Sequence, residues 1–194
     1  GVASGRPRPD AVVLWTRLLV SDADRVDASG SDEPVRVSWA MYADEGMRQL
    51  VRQGEHITDA RRAHSVHVHV QGLQPGRTYW YRFTSGNALS AVGRTRTAPA
   101  PDAKVKQLRL ALASCQHYEQ GEYLAHQDIA QQSLDMVLFV GDYIYESSNP
   151  RYMVRKHQGG EPKTLNEYRD RYAQYKSDPL LQAAHAAHPW MLMW

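Results

Sequence analysis

Three side chains in the second half of this 194-residue chain are of types that could share a cation: Cys115, Asp142 and Tyr145. The stretch LFVGDYIYESS (138–148) ends an apolar run in Gly141 and Asp142 and continues into two phenols, Tyr143 and Tyr145, and then Glu146. Cys115 is the sole cysteine, so no intramolecular disulfide is possible. Thiolate, carboxylate and phenolate are all anionic ligands. A carboxylate alone suits Ca²⁺ or Mg²⁺, a thiolate favours softer transition metals, and a phenolate holds iron in haem catalase. The three together favour a highly charged, redox-capable ion such as Fe³⁺, with a second ion sharing the aspartate. Two other readings fit the same residues. Cys115 could pack as a small buried hydrophobe while the tyrosines fill a loop. It could instead be a nucleophile paired with His117, two residues away and with no visible third member.

The three residues can meet only if the elements that carry them deliver them to one place. QLRLALASCQ (107–116) alternates Leu108, Leu110 and Leu112 with Arg109, Ala111 and Ala113, and reads as a buried strand ending at Ser114 and Cys115. Residues 119–134 have loose helical spacing (Tyr123, Leu124, Ile129, Leu134) and no proline. DMVLFVGD (135–142) is a continuous apolar run, expected of a strand covered on both faces. Strand, helix and strand make a βαβ unit, right-handed by the usual chirality of crossovers. Its two strands end on the same edge of the sheet, where open α/β sheets bind ligands. Cys115 and Asp142 then become neighbours, with Tyr145 one turn beyond. In this frame Ser114 is expected to cap its strand turn, and Glu119 only to start the crossover helix. NEYRDRYAQYKSDP (166–179) reads as an amphipathic helix that packs Tyr168, Tyr172 and Tyr175 on the sheet. His185 and His188 precede a last strand, WMLMW, at its entry end, and are expected to be structural.

The first hundred residues differ in kind. Segments 11–19, 35–43, 64–73, 77–85 and 90–98 are strand-like, rich in β-branched and aromatic residues and separated by Pro and Gly signals such as Gln74-Pro75-Gly76. They predict a small antiparallel β-sandwich of fibronectin or immunoglobulin type. His64, His67 and His69 lie near one another on a strand, but on the face opposite Val66, Val68 and Val70, which points them to solvent. Arg94 and Arg96 read likewise as a solvated face. Every lysine lies beyond residue 100, and APAPDAKVK (98–106) is linker-like, so the expected division is a β-sandwich over 1–100 and an α/β segment over 106–194. The net charge of +2 gives no nucleic-acid signal, and no apolar run is long enough for a transmembrane helix. The chain opens without an initiating Met, which is read as processing or trimming.

Five stretches occur in order that together carry a family resemblance: GVASGRPRPDAVVLWTRL, GLQPGRTYWYRF, LALASCQHYEQGEY, LDMVLFVGDYIYE and YRDRYAQYKSDPLLQAAHAAHPWMLMW. The chain resembles the PhoD-type alkaline phosphatase/phosphodiesterase family over its whole length. The resemblance implies an N-terminal fibronectin-like β-sandwich followed by the first βαβ portion of a calcineurin-like metallophosphatase α/β sandwich. It implies a site holding Fe³⁺ and Ca²⁺, with Cys115 and Tyr145 on iron, Asp142 shared between metals, and Tyr143 the less favoured phenol. Phosphate mono- or diesters are the implied substrates and export from a bacterial cell the implied location. The family motif has Asp where this chain has Arg6. In the family, further metal ligands follow the position of Trp194, so the remaining C-terminal part of the same enzyme is an expected partner and the chain alone is expected to be inactive. A phospholipase D-like phosphodiesterase and a non-catalytic β-sandwich binding module are the alternatives.

Overall fold

The computed structural model describes residues 1–19 and 34–193, so Trp194 of the expected last strand lies outside the described residues. Strands β1 (Val2–Gly5), β2 (Ala11–Arg17), β3 (Val35–Tyr42), β4 (Leu50–Thr58), β5 (Ser65–Gln71), β6 (Thr78–Ser85), β7 (Ala88–Leu89) and β8 (Gly93–Arg96) come first. They are followed by β9 (Leu110–Ala113), helix α1 (Leu124–Gln131), β10 (Met136–Val140), α2 (Leu165–Lys176), α3 (Pro179–Ala187) and β11 (Pro189–Met193). β3, β4, β6, β7 and β8 form an antiparallel sheet. Opposite it is a mixed six-stranded sheet of order β5-β2-β1-β11-β10-β9. The N-terminal part is thus a β-sandwich, followed by the start of an α/β core. Among the described residues no helix is long and apolar enough to cross a membrane.

The larger sheet is antiparallel across β5-β2-β1 and parallel across β1-β11-β10-β9. β1, the family-like GVASG stretch, is therefore the seam between the two sequence segments. The close approach there requires a glycine. Gly5 pairs with Trp190, and a Cβ on it would sit 2.5 Å from the Trp190 carbonyl oxygen.

Alternation along β2, β5 and β6 buries Val12, Leu14, Val66, Val68, Val70, Tyr79, Tyr81 and Phe83 between the two sheets. On β5 the pattern leaves His67 and His69 exposed, as the sequence predicts. A second core lies under the helices, where Val137, Phe139, Trp190 and Ile129 meet Tyr175, Leu181 and Ala184. α2 begins with a reciprocal capping box between Thr164 and Glu167. In α3, Asp178 caps the first turn and Pro179 occupies its start.

Four expectations need correction. The leucine face of 107–113 is open: Leu108, Leu110 and Leu112 are exposed, and the smaller Ala111 and Ala113 face the helical core. β9 is the edge strand of its sheet, and its leucine face is left open among the described residues. β10 is likewise covered on one face, with Val137 and Phe139 fully buried but Val140 exposed. Helix 119–134 shrinks to 124–131, because Tyr123 adopts a left-handed backbone at its N-cap and Tyr118–Gln120 forms a separate 3-10 turn. Arg94 and Arg96 do not form a solvated face. Arg94 donates to the Ala187 carbonyl (3.1 Å) and Arg96 pairs with Asp135 (2.9 Å), tying β8 to the second segment. β4 did not stand out as a strand in the sequence, because its burial pattern is mostly exposed or half-exposed.

Gly5→Ala would push β1 from β11, and overpacking of this kind is expected to destabilise the protein by about 1–3 kcal/mol. The measurement is denaturant unfolding of variant and wild type; an unchanged midpoint would show that the β1–β11 contact is not a tight one.

Candidate metal centre

β9 and β10 run parallel in register from Leu110/Met136 to Ala113/Phe139. Their ladder continues past the strand ends: Cys115 N–H donates to the Gly141 carbonyl (3.1 Å) and Gln116 N–H to the Asp142 carbonyl (3.2 Å). Both Cys115 (φ 58°) and Asp142 (φ 57°) are in the left-handed region. Non-glycine residues adopt this conformation at a cost, and they cluster at functional sites. The double kink turns the two side chains toward each other. The Cys115 thiol lies 3.5 Å from Asp142 Oδ2, and the Tyr145 hydroxyl donates to the same oxygen at 2.8 Å. Cys115 and Asp142 are exposed and Tyr145 is half-buried.

All three sequence-selected residues therefore converge on one carboxylate oxygen, and two protons occupy the space around it. Desolvation pushes the Tyr145 phenol well above the ordinary tyrosine range, and hydrogen bonds to Asp142 and Cys115 push it further. The phenol is therefore neutral here and would ionise only against a cation. Among the described residues no three or more His, Cys, Asp or Glu side chains are placed to hold a metal; the third member of this cluster is a phenol. Thiol, carboxylate and phenol on one oxygen fit a ferric ion. For a calcium ion, which takes six to eight oxygens, the cluster's side chains offer only the two oxygens of Asp142 and the Tyr145 hydroxyl oxygen.

Tyr143 turns the other way. It is buried, accepts from Lys176 Nζ (3.2 Å) and meets His185 Nε2 at 2.7 Å. Burial lowers Lys176 to about 8. His185 stacks on Trp190 (4.1 Å between centroids), and the buried His188 reaches the Ile129 carbonyl (2.9 Å), so both are structural. His117 packs its ring on Tyr145 (4.5 Å) and accepts the Glu119 N–H at Nδ1 (3.3 Å). Its neighbour is thus the phenol, while the Cys115 thiol faces Asp142. Ser114 is exposed, with no side-chain bond to its turn among the described residues.

Residues to which the sequence gives no part in the site surround the centre. Buried Gln116 donates to the Tyr143 carbonyl (2.8 Å) and meets His126 (2.8 Å), and its own carbonyl accepts the Tyr123 hydroxyl (2.8 Å). Glu119, expected only to begin a helix, is 1% exposed. It accepts from the Ser148 hydroxyl (2.8 Å), Asn149 N–H (2.8 Å) and His157 N–H (2.9 Å), pinning the irregular 141–164 segment. Burial alone would raise its pKa; the N–H groups of His157 and Asn149 and the Ser148 hydroxyl outweigh that and hold it at about 2. On α2 the buried residues are Arg171, Gln174 and Tyr175, while Tyr168 and Tyr172 of the expected stripe pack half-buried against the same core. The i, i+3, i+4 spacing was present in the sequence but hidden by its polar residues.

The chain belongs to the PhoD-like phosphatase family. Residues 1–99 match the family's N-terminal domain and residues 110–194 its PhoD-like phosphatase domain. Among individual proteins, alkaline phosphatase D of Bacillus subtilis (strain 168) is 48% identical over 200 residues, covering 100% of this chain and 34% of that protein. A solved structure of PhoD superposes with a TM-score of 0.92 at 47% identity, covering 100% of this chain and 38% of that one. The chain thus spans about a third of the length of the relatives it matches.

Glu119 carries a pH signature. Its folded pKa of about 2 lies below the ordinary 4.5, so its contribution to stability is complete above about pH 4.5 and disappears as pH falls toward 2. Glu119→Gln should be less stable at neutral pH and should lose this dependence. Chemical denaturation across that pH range measures both, and parallel stability profiles for the two proteins would contradict the assignment.

Proposed function

We propose that this chain is part of a metal-dependent hydrolase of phosphate esters, an alkaline phosphatase/phosphodiesterase. In this reading Cys115 and Tyr145 are ligands of a ferric ion, and Asp142 is shared between that ion and a calcium ion. The observation that carries it is the convergence of the Cys115 thiol and Tyr145 hydroxyl on Asp142 Oδ2. Family membership and the likeness to an alkaline phosphatase support the reaction class. The remaining ligands, including the oxygens calcium needs, come in this reading from the rest of a longer polypeptide.

When bound, such cations supply Lewis acidity toward phosphoryl oxygens. The chain's own residues do the preparatory work. The left-handed backbones at Cys115 and Asp142 present both side chains at the sheet edge without requiring either strand to lengthen. The Tyr145 phenol holds its proton against Asp142 until a cation replaces it, and Cys115 acts as a ligand and not as a nucleophile. Iron on the chain is expected to give a visible phenolate/thiolate-to-iron band.

In the full-length polypeptide, Asp142→Asn and Cys115→Ser are expected to lose bound iron and the visible band, and to lower phosphomonoester and phosphodiester hydrolysis at least a hundredfold, an order of magnitude set by removing a metal ligand. Elemental analysis, absorption spectra and rates on both ester types are the measurements. A colourless, metal-free wild type that still hydrolyses an ester would overturn the ligand assignment. Variants that keep full activity would overturn it as well, and a wild type with neither bound iron nor hydrolysis would favour a binding module.

A further inference from the structure

The Tyr145 backbone is held from both sides by one face of α2. The Tyr175 hydroxyl accepts the Tyr145 N–H at 3.0 Å and the Tyr118 N–H at 3.2 Å. With its lone pairs so engaged, its single proton points to His157 Nε2, 3.0 Å away. One helical turn earlier, Arg171 Nη1 donates to the carbonyls of Tyr145 (2.6 Å) and Glu146 (2.8 Å), and Nη2 to that of Gly160 (2.8 Å). Arg171 is 3% exposed and Tyr175 fully buried.

A buried guanidinium is expensive unless its donors are used. All three carbonyls used here belong to a segment that runs as turns and bends. Fixing both the N–H and the carbonyl of Tyr145 fixes the direction of its Cα–Cβ bond. The phenol then has one free choice, its rotamer, and His117 on its ring and Asp142 at its hydroxyl settle that.

We infer that Arg171 and Tyr175 are positioning residues that aim the Tyr145 phenol at the metal-binding corner, acting through its backbone and not through the phenol itself. The inference rests on the reading of Tyr145 as an iron ligand. It deepens that reading by making the affinity of the corner depend on two buried residues that bond the backbone behind the phenol.

The test is a double-mutant cycle in the full-length polypeptide, using Fe³⁺ alone as the probe. Tyr175→Phe keeps the packed ring and removes only the hydroxyl. Metal-free proteins are titrated with Fe³⁺, with affinity read by equilibrium dialysis and the phenolate-to-iron band by absorption. Tyr175→Phe is expected to weaken Fe³⁺ about tenfold, the scale on which groups behind a ligand act, and to shift the band. In a Tyr145→Phe background the same change should add no further loss, because the residue it acts through is gone. An equal loss in both backgrounds, or none in either, would reduce Tyr175 to a loop anchor. Arg171→Lys, which keeps the charge but cannot bridge the carbonyls, repeats the cycle if Tyr175→Phe folds poorly. The underlying reading fails separately: Tyr145→Phe would then bind Fe³⁺ as wild type does, with the band unchanged.

Discussion

The organisation of this molecule depends on two backbone hydrogen bonds that carry the β9–β10 ladder one step past the ends of both strands. Cys115 N–H to Gly141 and Gln116 N–H to Asp142 fasten the two exits together. Parallel strands are normally free to diverge where the ladder stops. Here the chain kinks left-handed at both exits while remaining bonded, which leaves a thiol and a carboxylate no option but to face each other. The local strain at Cys115 and Asp142 is sustained because the neighbouring residues are over-determined. Gln116 is bonded at both ends of its amide and at its carbonyl.

Beyond the strand exits, polar side chains do what secondary structure does elsewhere. Residues 141–164 run as turns and bends, and buried backbone groups in such a segment still require partners. Glu119, Arg171, Gln174 and Tyr175 supply them, reaching from a short 3-10 turn and from α2 to at least six backbone groups of the segment and its neighbours. A loop ordered in this way can carry chemistry at its start while remaining fixed along its length. The dense aromatic layer of Tyr118, Tyr123, His157 and Tyr175 fills the space between.

The two sequence segments are joined by more than a linker. β1 pairs with β11, and β8 reaches the second segment through Arg94 and Arg96. Two elements far apart in sequence thereby complete one sheet, with its parallel part directed at the candidate metal centre. The sandwich flanks the strand array that carries Cys115 and Asp142 at its exits. The leucines of β9, with Val140, Met191 and Met193, leave the outer face of that array apolar and exposed.

The sequence by itself determined which residues could form the corner. Cys115, Asp142 and Tyr145 sit at strand exits that apolar periodicity locates, and a βαβ unit places two exits on one edge whatever the packing around it. Alternation likewise set the inward faces of β2, β5 and β6, because a period of two fixes the face of every side chain once one is buried. Tertiary structure alone decided the rest. Whether the leucines or the alanines of β9 face the core depends on what lies above the sheet, and alternation is symmetric between the two faces. The roles of Glu119, Arg171 and Tyr175 depend largely on backbone groups 25 or more residues away in sequence. Charged and polar residues read as solvent-facing until the fold supplies the partners that make their burial favourable. The convergence on Asp142 Oδ2, and the choice of Tyr145 over Tyr143, required two left-handed residues that no composition or spacing announces.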